Sequence, residues 1–232
     1  MTIKISDSEN RYPSCIWIDL STRRIDEARF DLIANLRFGQ HEISIRNGKA
    51  IFGLKKGKLK VLLENGEVGV KDIHLDRVFA TEISFKIENK QEAGAQIGAK
   101  LGGKTEGISA NINQASTAGK EYEYKEYQVH TEGYLNDPTW IFQVKTERDI
   151  LQGLLQNADL ATVTLQAKPF TATATFEVMD DDDVYLIDGS LLWQKNITQI
   201  KIAVLERSIV KRWLNFALQE KPYLSQQVLQ NG

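Results

Sequence analysis

The sequence predicts an all-β fold, an antiparallel sandwich or barrel-like sheet with a long Gly/Ala-rich hairpin or loop and a C-terminal amphipathic helix. Three observations predict this class. Segments that alternate apolar and polar residues recur along the chain, with turn signals about every 8–12 residues. Near the C-terminus the apolar spacing changes to three and four residues, which is helical. Residues 92–119 fit neither pattern, because they are rich in Gly and Ala and contain no aromatic residue.

The clearest strand signal covers residues 28–38. Every second residue there is apolar, and the residues between them are polar apart from Ile33. Because successive side chains of a strand point to opposite faces, this pattern predicts a strand with one buried face. The predicted buried face consists of Ala28, Phe30, Leu32, Ala34, Leu36 and Phe38.

The strands that follow are separated by recognisable turns. Asn47-Gly48 suits the type I′ turn of a hairpin, since both central positions need positive φ, and Asn65-Gly66 marks a second turn. Four lysines cluster in this region, and the pattern predicts that they protect a sheet edge. They are Lys55, Lys56, Lys58 and Lys60. Further strands are predicted within 73–88, 122–129, 140–144, 160–167, 171–178 and 184–187.

The C-terminal helix is predicted over residues 198–219, and residues 225–232 form a Gln-rich tail that we expect to fray. The apolar stripe of the helix consists of Ile202, Leu205, Ile209, Trp213 and Phe216. We expect Trp213 to pack against the sheet. Residues 1–232 are expected to form a single β-rich domain, and two β-lobes linked by residues 92–119 are the alternative.

Composition argues against several functional classes. The formal net charge of −2 over 232 residues gives no general attraction to nucleic acid, so no nucleic-acid partner is expected. The single cysteine, Cys15, cannot form an intrachain disulfide, and its apolar neighbours predict a buried, unreactive thiol. The N-terminal residues lack the apolar core of a signal peptide. A cytoplasmic location is therefore expected.

No catalytic or cofactor-binding pattern is present in the sequence. His41, His74 and His130 are far apart and have no metal-ligand spacing. The acidic run at residues 180–183 could gather around Ca²⁺, but a solvated turn is the expected structure because adjacent carboxylates cannot all point at one ion. The sequence therefore predicts no catalytic residues, no metal and no cofactor, and a protein that is not an enzyme.

The Gly/Ala-rich segment shows a faint alternation of its own. Its apolar positions predict a hairpin with one thin apolar face and a charged tip near residues 103–107. These candidate contact residues are Ala95, Ile97, Ala99 and Leu101 on one arm and Ile108, Ala110 and Ile112 on the other. Each arm spans about nine to eleven residues, the length of a membrane-crossing β-strand. In composition the segment resembles the insertion hairpins of β-barrel pore-forming proteins.

Two functional hypotheses follow from these observations. The first is a non-enzymatic interaction or assembly protein that binds a protein partner, or a second copy, through its sheet surface and the 92–119 arm. The alternative is an effector that inserts this hairpin into a membrane, where several copies would close into a pore. Residues 92–119 thus have three possible roles, as a flexible loop, an assembly arm or an insertion hairpin.

Overall fold

A computed structural model describes residues 3–45, 48–75, 78–85, 121–145, 150–189, 199–219 and 221–231. The strands of the first half are Ile3–Ile5 (β1), Glu9–Asn10 (β2), Ile16–Arg24 (β3), Arg29–Phe38 (β4), Gln40–Ile45 (β5), Gly48–Leu54 (β6), Lys56–Glu64 (β7), Gly66–Glu67 (β8) and Val78–Phe85 (β9). Those of the second half are Glu121–Glu132 (β10), Thr139–Gln143 (β11), Gly153–Leu165 (β12), Phe170–Glu177 (β13), Val184–Gly189 (β14) and Ser225–Asn231 (β15). One α-helix, Gln199–Leu218 (α1), and two short 3₁₀ turns, Val70–Asp72 (η1) and Asp181–Asp183 (η2), complete the described part.

Twelve strands form one large antiparallel sheet, so the predicted all-β class is confirmed. The sheet runs in the order β1-β15-β13-β7-β11-β10-β9-β12-β4-β3, while β2 pairs with β15 and β8 pairs with β12. The alternation predicted for residues 28–38 is confirmed from Phe30 to Phe38, where alternate residues of β4 are buried, but Ala28, expected on the buried face, lies before β4 and is exposed. Burial of this apolar face drives the sheet to fold over its own core.

The two ends of the large sheet meet, and side chains bridge the seam between them. At one end, Asn10 accepts a hydrogen bond from the backbone N–H of Ile18 at 2.8 Å and donates one to the carbonyl of the same residue at 3.2 Å. Gln227 of β15 accepts one from the backbone N–H of Leu20 at 2.6 Å and donates to the carbonyl of Ser6 at 3.0 Å. Amides thus satisfy backbone groups of β3 that would otherwise lack partners, giving the sheet a barrel-like closure.

A three-stranded sheet, in the order β14-β6-β5, extends from one end of the large one. Its strand β5 continues β4 after Gly39, and β6 continues into β7 after Lys55. The pairing of Ile45 with Gly48 confirms a hairpin here, but Gly48, predicted as a turn residue, is the first residue of β6, and residues 46–47 lie outside the described residues. Helix α1 packs on this small sheet, where Trp213 stacks on Phe52 with the ring centroids 5.1 Å apart.

Three details of the sequence prediction are wrong. The tail expected to fray is strand β15, which pairs with β13 and β1 and whose Leu229 is fully buried. The lysine-rich strand β7 lies between β13 and β11, inside the sheet rather than at an edge. The buried side of α1 consists of Val210, Trp213, Leu214 and Ala217, whereas Phe216 is 71% exposed. The burial predicted for Trp213 is confirmed, since it is only 4% exposed.

Candidate functional site

The residues predicted to make contacts lie outside the described residues, but the structure shows where their segment joins the sheet. This applies to Ala95, Ile97, Ala99, Leu101, Ile108, Ala110 and Ile112. Phe85 at the end of β9 pairs directly with Glu121 at the start of β10. The described residues on either side of 86–120 therefore lie next to each other in the sheet.

The strands at this junction form a regular antiparallel pair. Residues 78–85 pair with residues 121–128 through eight consecutive positions and without a register shift. Neighbouring strands flank the pair on both sides, since β10 pairs with β11 and β9 contacts β12 through Leu154 and Glu82. We call this β9–β10 pair the root of the arm. It is held inside the sheet rather than at a free edge.

The chain that leads into the root is fastened to the sheet. Val68 and Leu135 exchange two backbone hydrogen bonds of 2.8 Å. Ile73 forms an isolated bridge to Ala161, and the backbone N–H of His74 donates to the carbonyl of Leu160 at 2.9 Å. These contacts tie residues 68–74 to strand β12 and to the turn after β10. The entry to β9 is therefore anchored just before the root begins.

A polar network lies beneath this anchored segment. Asp31, only 7% exposed, accepts a hydrogen bond from Thr162 at 2.7 Å and forms an ion pair with Arg23 at 2.7 Å. The Thr162 hydroxyl also lies 3.1 Å from Nε2 of His74. Burial alone would raise the pKa of Asp31, but the Thr162 hydrogen bond and the Arg23 charge together hold it below its usual value. The network keeps a charged carboxylate in a nearly buried position. The alternation of β4 gave no sign of it.

An aromatic cluster joins α1 to the small sheet and the N-terminal strands. Trp213 makes edge contacts with Tyr12, with centroids 5.6 Å apart, and Nδ1 of His41 lies 2.9 Å from the hydroxyl of Ser14. Burial lowers the pKa of His41. Within the part of the chain that the structure describes, no hydrogen bond joins this imidazole to a carboxylate. The contact of Ser14 with His41 therefore lacks the third group that orients a catalytic triad.

The acidic run at residues 180–183 forms a closed turn. Asp180 is the N-cap of η2, the Asp183 side chain accepts a hydrogen bond from the Asp180 backbone N–H at 3.2 Å, and Asp181 pairs with Arg207 of α1 at 2.9 Å. This hydrogen bond from Arg207 lowers the pKa of Asp181 to about 2. Across the described ranges, no group of three or more His, Cys, Asp or Glu side chains is placed to hold a metal ion. The run therefore attaches α1 to the β13–β14 connection.

The predicted properties of Cys15 are also seen. Its thiol is fully buried and free of any disulfide, and burial raises its pKa to about 12. At neutral pH such a thiol holds almost no thiolate, the form that reacts. Cys15 is thus a residue of the hydrophobic core.

Comparison with known proteins gives no further guide to function. No family model matches the chain, and no curated protein matches it at a significant level. Among the residues that the structure describes, no helix is long and apolar enough to cross a membrane.

Proposed function

We propose that this protein is a non-enzymatic assembly protein whose 92–119 arm binds a protein partner, most simply a second copy of the chain. The single observation that carries the proposal is the root. Eight consecutive antiparallel pairs between β9 and β10 end at Phe85 and Glu121, so the two residues that flank 86–120 are paired within the sheet. A cytoplasmic setting suits the free, buried Cys15.

The physical reason to expect association lies in the composition of the arm. Small residues give it too little apolar area to offset the entropy of ordering it alone. Strands that project beyond a sheet offer unpaired N–H and C=O groups, which another strand can satisfy. The same arm on a second copy carries the same pattern, and symmetric pairing would cover both.

Membrane insertion is the second candidate function, and the register of the root favours it. Because β9 and β10 are antiparallel and paired up to the point where the arm begins, two further strands in the same register would form a hairpin. Several such hairpins closing into a barrel would satisfy their backbone groups in lipid. The anchored entry at Val68 and His74 would hold the body of the protein in place while the hairpin entered the bilayer.

Two measurements on the full chain test these functions together. Mass determination by light scattering at rising protein concentration should show association, and Ile97→Asp with Ile112→Asp should weaken it. Asn111→Asp, on the polar positions of the arm, is the matched control and should associate as the wild type does. A wild type that stays monomeric with no binding to any protein partner contradicts the assembly proposal.

Dye release from liposomes separates the second function from the first. An inserting hairpin should release dye, and Ile97→Asp or Ile112→Asp should abolish the release, since a charge on the lipid-facing side is unfavourable, by up to about 2–4 kcal/mol per subunit for Arg or Lys near the bilayer centre and by less for Asp. Association without dye release supports the assembly protein alone. Equal damage from Asn111→Asp and Ile112→Asp would show that the hairpin does not have two distinct faces.

A further inference from the structure

The solvent-facing side of helix α1 carries three large apolar residues that the fold does not bury. Val204 is 65% exposed, Leu205 is 42% exposed and Phe216 is 71% exposed. Lys211 and Arg212 are exposed on the same helix between them. We call these five residues the outer face of α1.

The outer face is separate from the side that packs on the small sheet. Leu205 and Arg212 are seven residues apart and Phe216 follows four later, so the three lie along one line of the helix. The packed side contains Val210, Trp213, Leu214 and Ala217. Leu214, which is 7% exposed, lies nearly opposite Phe216 around the helix, so rotating the helix to bury Phe216 would expose Leu214. The fold therefore presents the outer face to solvent as a consequence of its own packing.

The charges of the outer face are all basic. The described residues provide no ion-pair partner for Lys211 or Arg212, whereas Arg207, one turn before Lys211, pairs with Asp181 at 2.9 Å and Asp182 at 3.8 Å. The acidic turn η2 thus pairs with Arg207 and not with Lys211 or Arg212. Although the whole chain has a net charge of −2, this face attracts anions.

We propose that the outer face of α1 binds the surface of an anionic lipid bilayer, with Phe216 and Leu205 among the headgroups and Lys211 and Arg212 near lipid phosphates or carboxylates. A helix that combines exposed Phe, Leu and basic side chains is typical of helices that lie in the bilayer interface. The face is the convex surface of a helix, and a fluid lipid surface accepts it without a complementary groove. Long basic side chains can bury their stems while the charged ends stay in water.

A second copy of the chain fits this face less well. Lys211 and Arg212 lie near the middle of the span between Leu205 and Phe216. In an antiparallel helix pair across a two-fold axis, the middle of one helix meets the middle of the other. The two basic pairs would then face each other, and like charges at such a contact are destabilising. An anionic surface removes this repulsion.

This inference does not rest on the arm. It concerns peripheral binding, which is measured by co-sedimentation of the full chain with vesicles rather than by dye release. We expect binding to vesicles of phosphatidylcholine and phosphatidylserine in a ratio of about 3:1, at least roughly tenfold tighter than to phosphatidylcholine alone. Raising the salt concentration from about 0.05 M to 0.5 M should weaken it, because the charges lie at an exposed surface.

Two variants test the two components of the face. Lys211→Glu combined with Arg212→Glu should lower the partition coefficient by about 25-fold or more, since each basic residue near an anionic surface contributes about fivefold. Phe216→Asp should lower it at least roughly tenfold, because it removes an inserting aromatic ring and adds a negative charge. Both changes are at exposed positions, and an unchanged thermal midpoint will show that the fold survives.

The matched control lies on η1, where Val70 is 67% exposed and is followed by the exposed Lys71. Val70→Asp and Lys71→Glu make the same chemical changes away from α1 and should leave vesicle binding unchanged. Four results would each overturn the proposal: no binding to anionic vesicles, equal binding to neutral ones, helix variants that bind as the wild type does, or equal losses in the control. Binding of the outer face to an acidic protein without vesicle binding would also overturn it.

Discussion

Replacing Trp213 with alanine should strongly destabilise the protein, and the structure sets the expected magnitude. The indole is 4% exposed, stacks on Phe52 at 5.1 Å and makes an edge contact with Tyr12 at 5.6 Å. Loss of a buried Trp typically costs about 3–5 kcal/mol, which combines the transfer of apolar surface with the cavity left behind. One contribution reduces the cost of the substitution. Nε1 of Trp213 is buried without a hydrogen-bond partner, and removing such a group recovers part of its desolvation penalty.

We therefore expect Trp213→Ala to cost about 3 kcal/mol, near the lower end of this range. Trp213→Phe keeps a ring against Phe52 and removes the unpaired N–H, so its cost should stay below about 1.5 kcal/mol. The assay is urea unfolding followed by circular dichroism, with the free energy of unfolding extrapolated to water.

The matched control is Phe216→Ala, an aromatic residue on the same helix that is 71% exposed. Its effect on the free energy of unfolding should stay within about 0.5 kcal/mol. Equal costs for Trp213→Ala and Phe216→Ala would refute the packing of α1 on the small sheet. A free-standing helix would give that result.

Three further predictions concern the seam, the polar network and the thiol. Gln227→Ala leaves Leu20 N–H and Ser6 C=O unpaired and should cost about 1–3 kcal/mol in urea unfolding, unlike Gln230→Ala at an exposed position of the same strand; equal effects would contradict the seam. The folded-state pKa of Asp31 is lowered, so its contribution to stability is present above about pH 4 and is lost as the pH falls through the folded-state pKa. Asp31→Asn should therefore weaken the fall of the urea midpoint with decreasing pH in this acidic range. An Asp31→Asn variant with the same pH dependence as the wild type would contradict the role of the network. Cys15 should resist thiol reagents until the protein unfolds, and rapid labelling of the native protein would contradict its burial.

The sequence by itself determined the features that depend on neighbouring residues. The alternation of residues 28–38 predicts β4 because the two faces of a strand are set by residue parity alone. The change to helical spacing predicts α1 within one residue at each end, and the apolar setting of Cys15 predicts its burial. In each case the signal and the structure it predicts lie within a few residues of each other.

The tertiary structure decided the features that depend on distant partners. The Gln-rich tail becomes β15 because its backbone pairs with β13 and β1, two strands that lie far from it in the sequence. Gln227 closes the seam only because β3 is brought beside it, and β7 is internal only because β11 and β13 flank it.

The rotation of α1 was decided in the same way. The apolar stripe of the helix could pack in several rotations. Contact with the small sheet selects the rotation in which Trp213 is buried and Phe216 is exposed. Periodicity identifies the apolar side of an element within a few tens of degrees, whereas the packing partner selects which of those side chains is buried. A single chain's local pattern contains no information about that partner, and this is the physical reason why the sequence predicted the elements of this protein but not their neighbours.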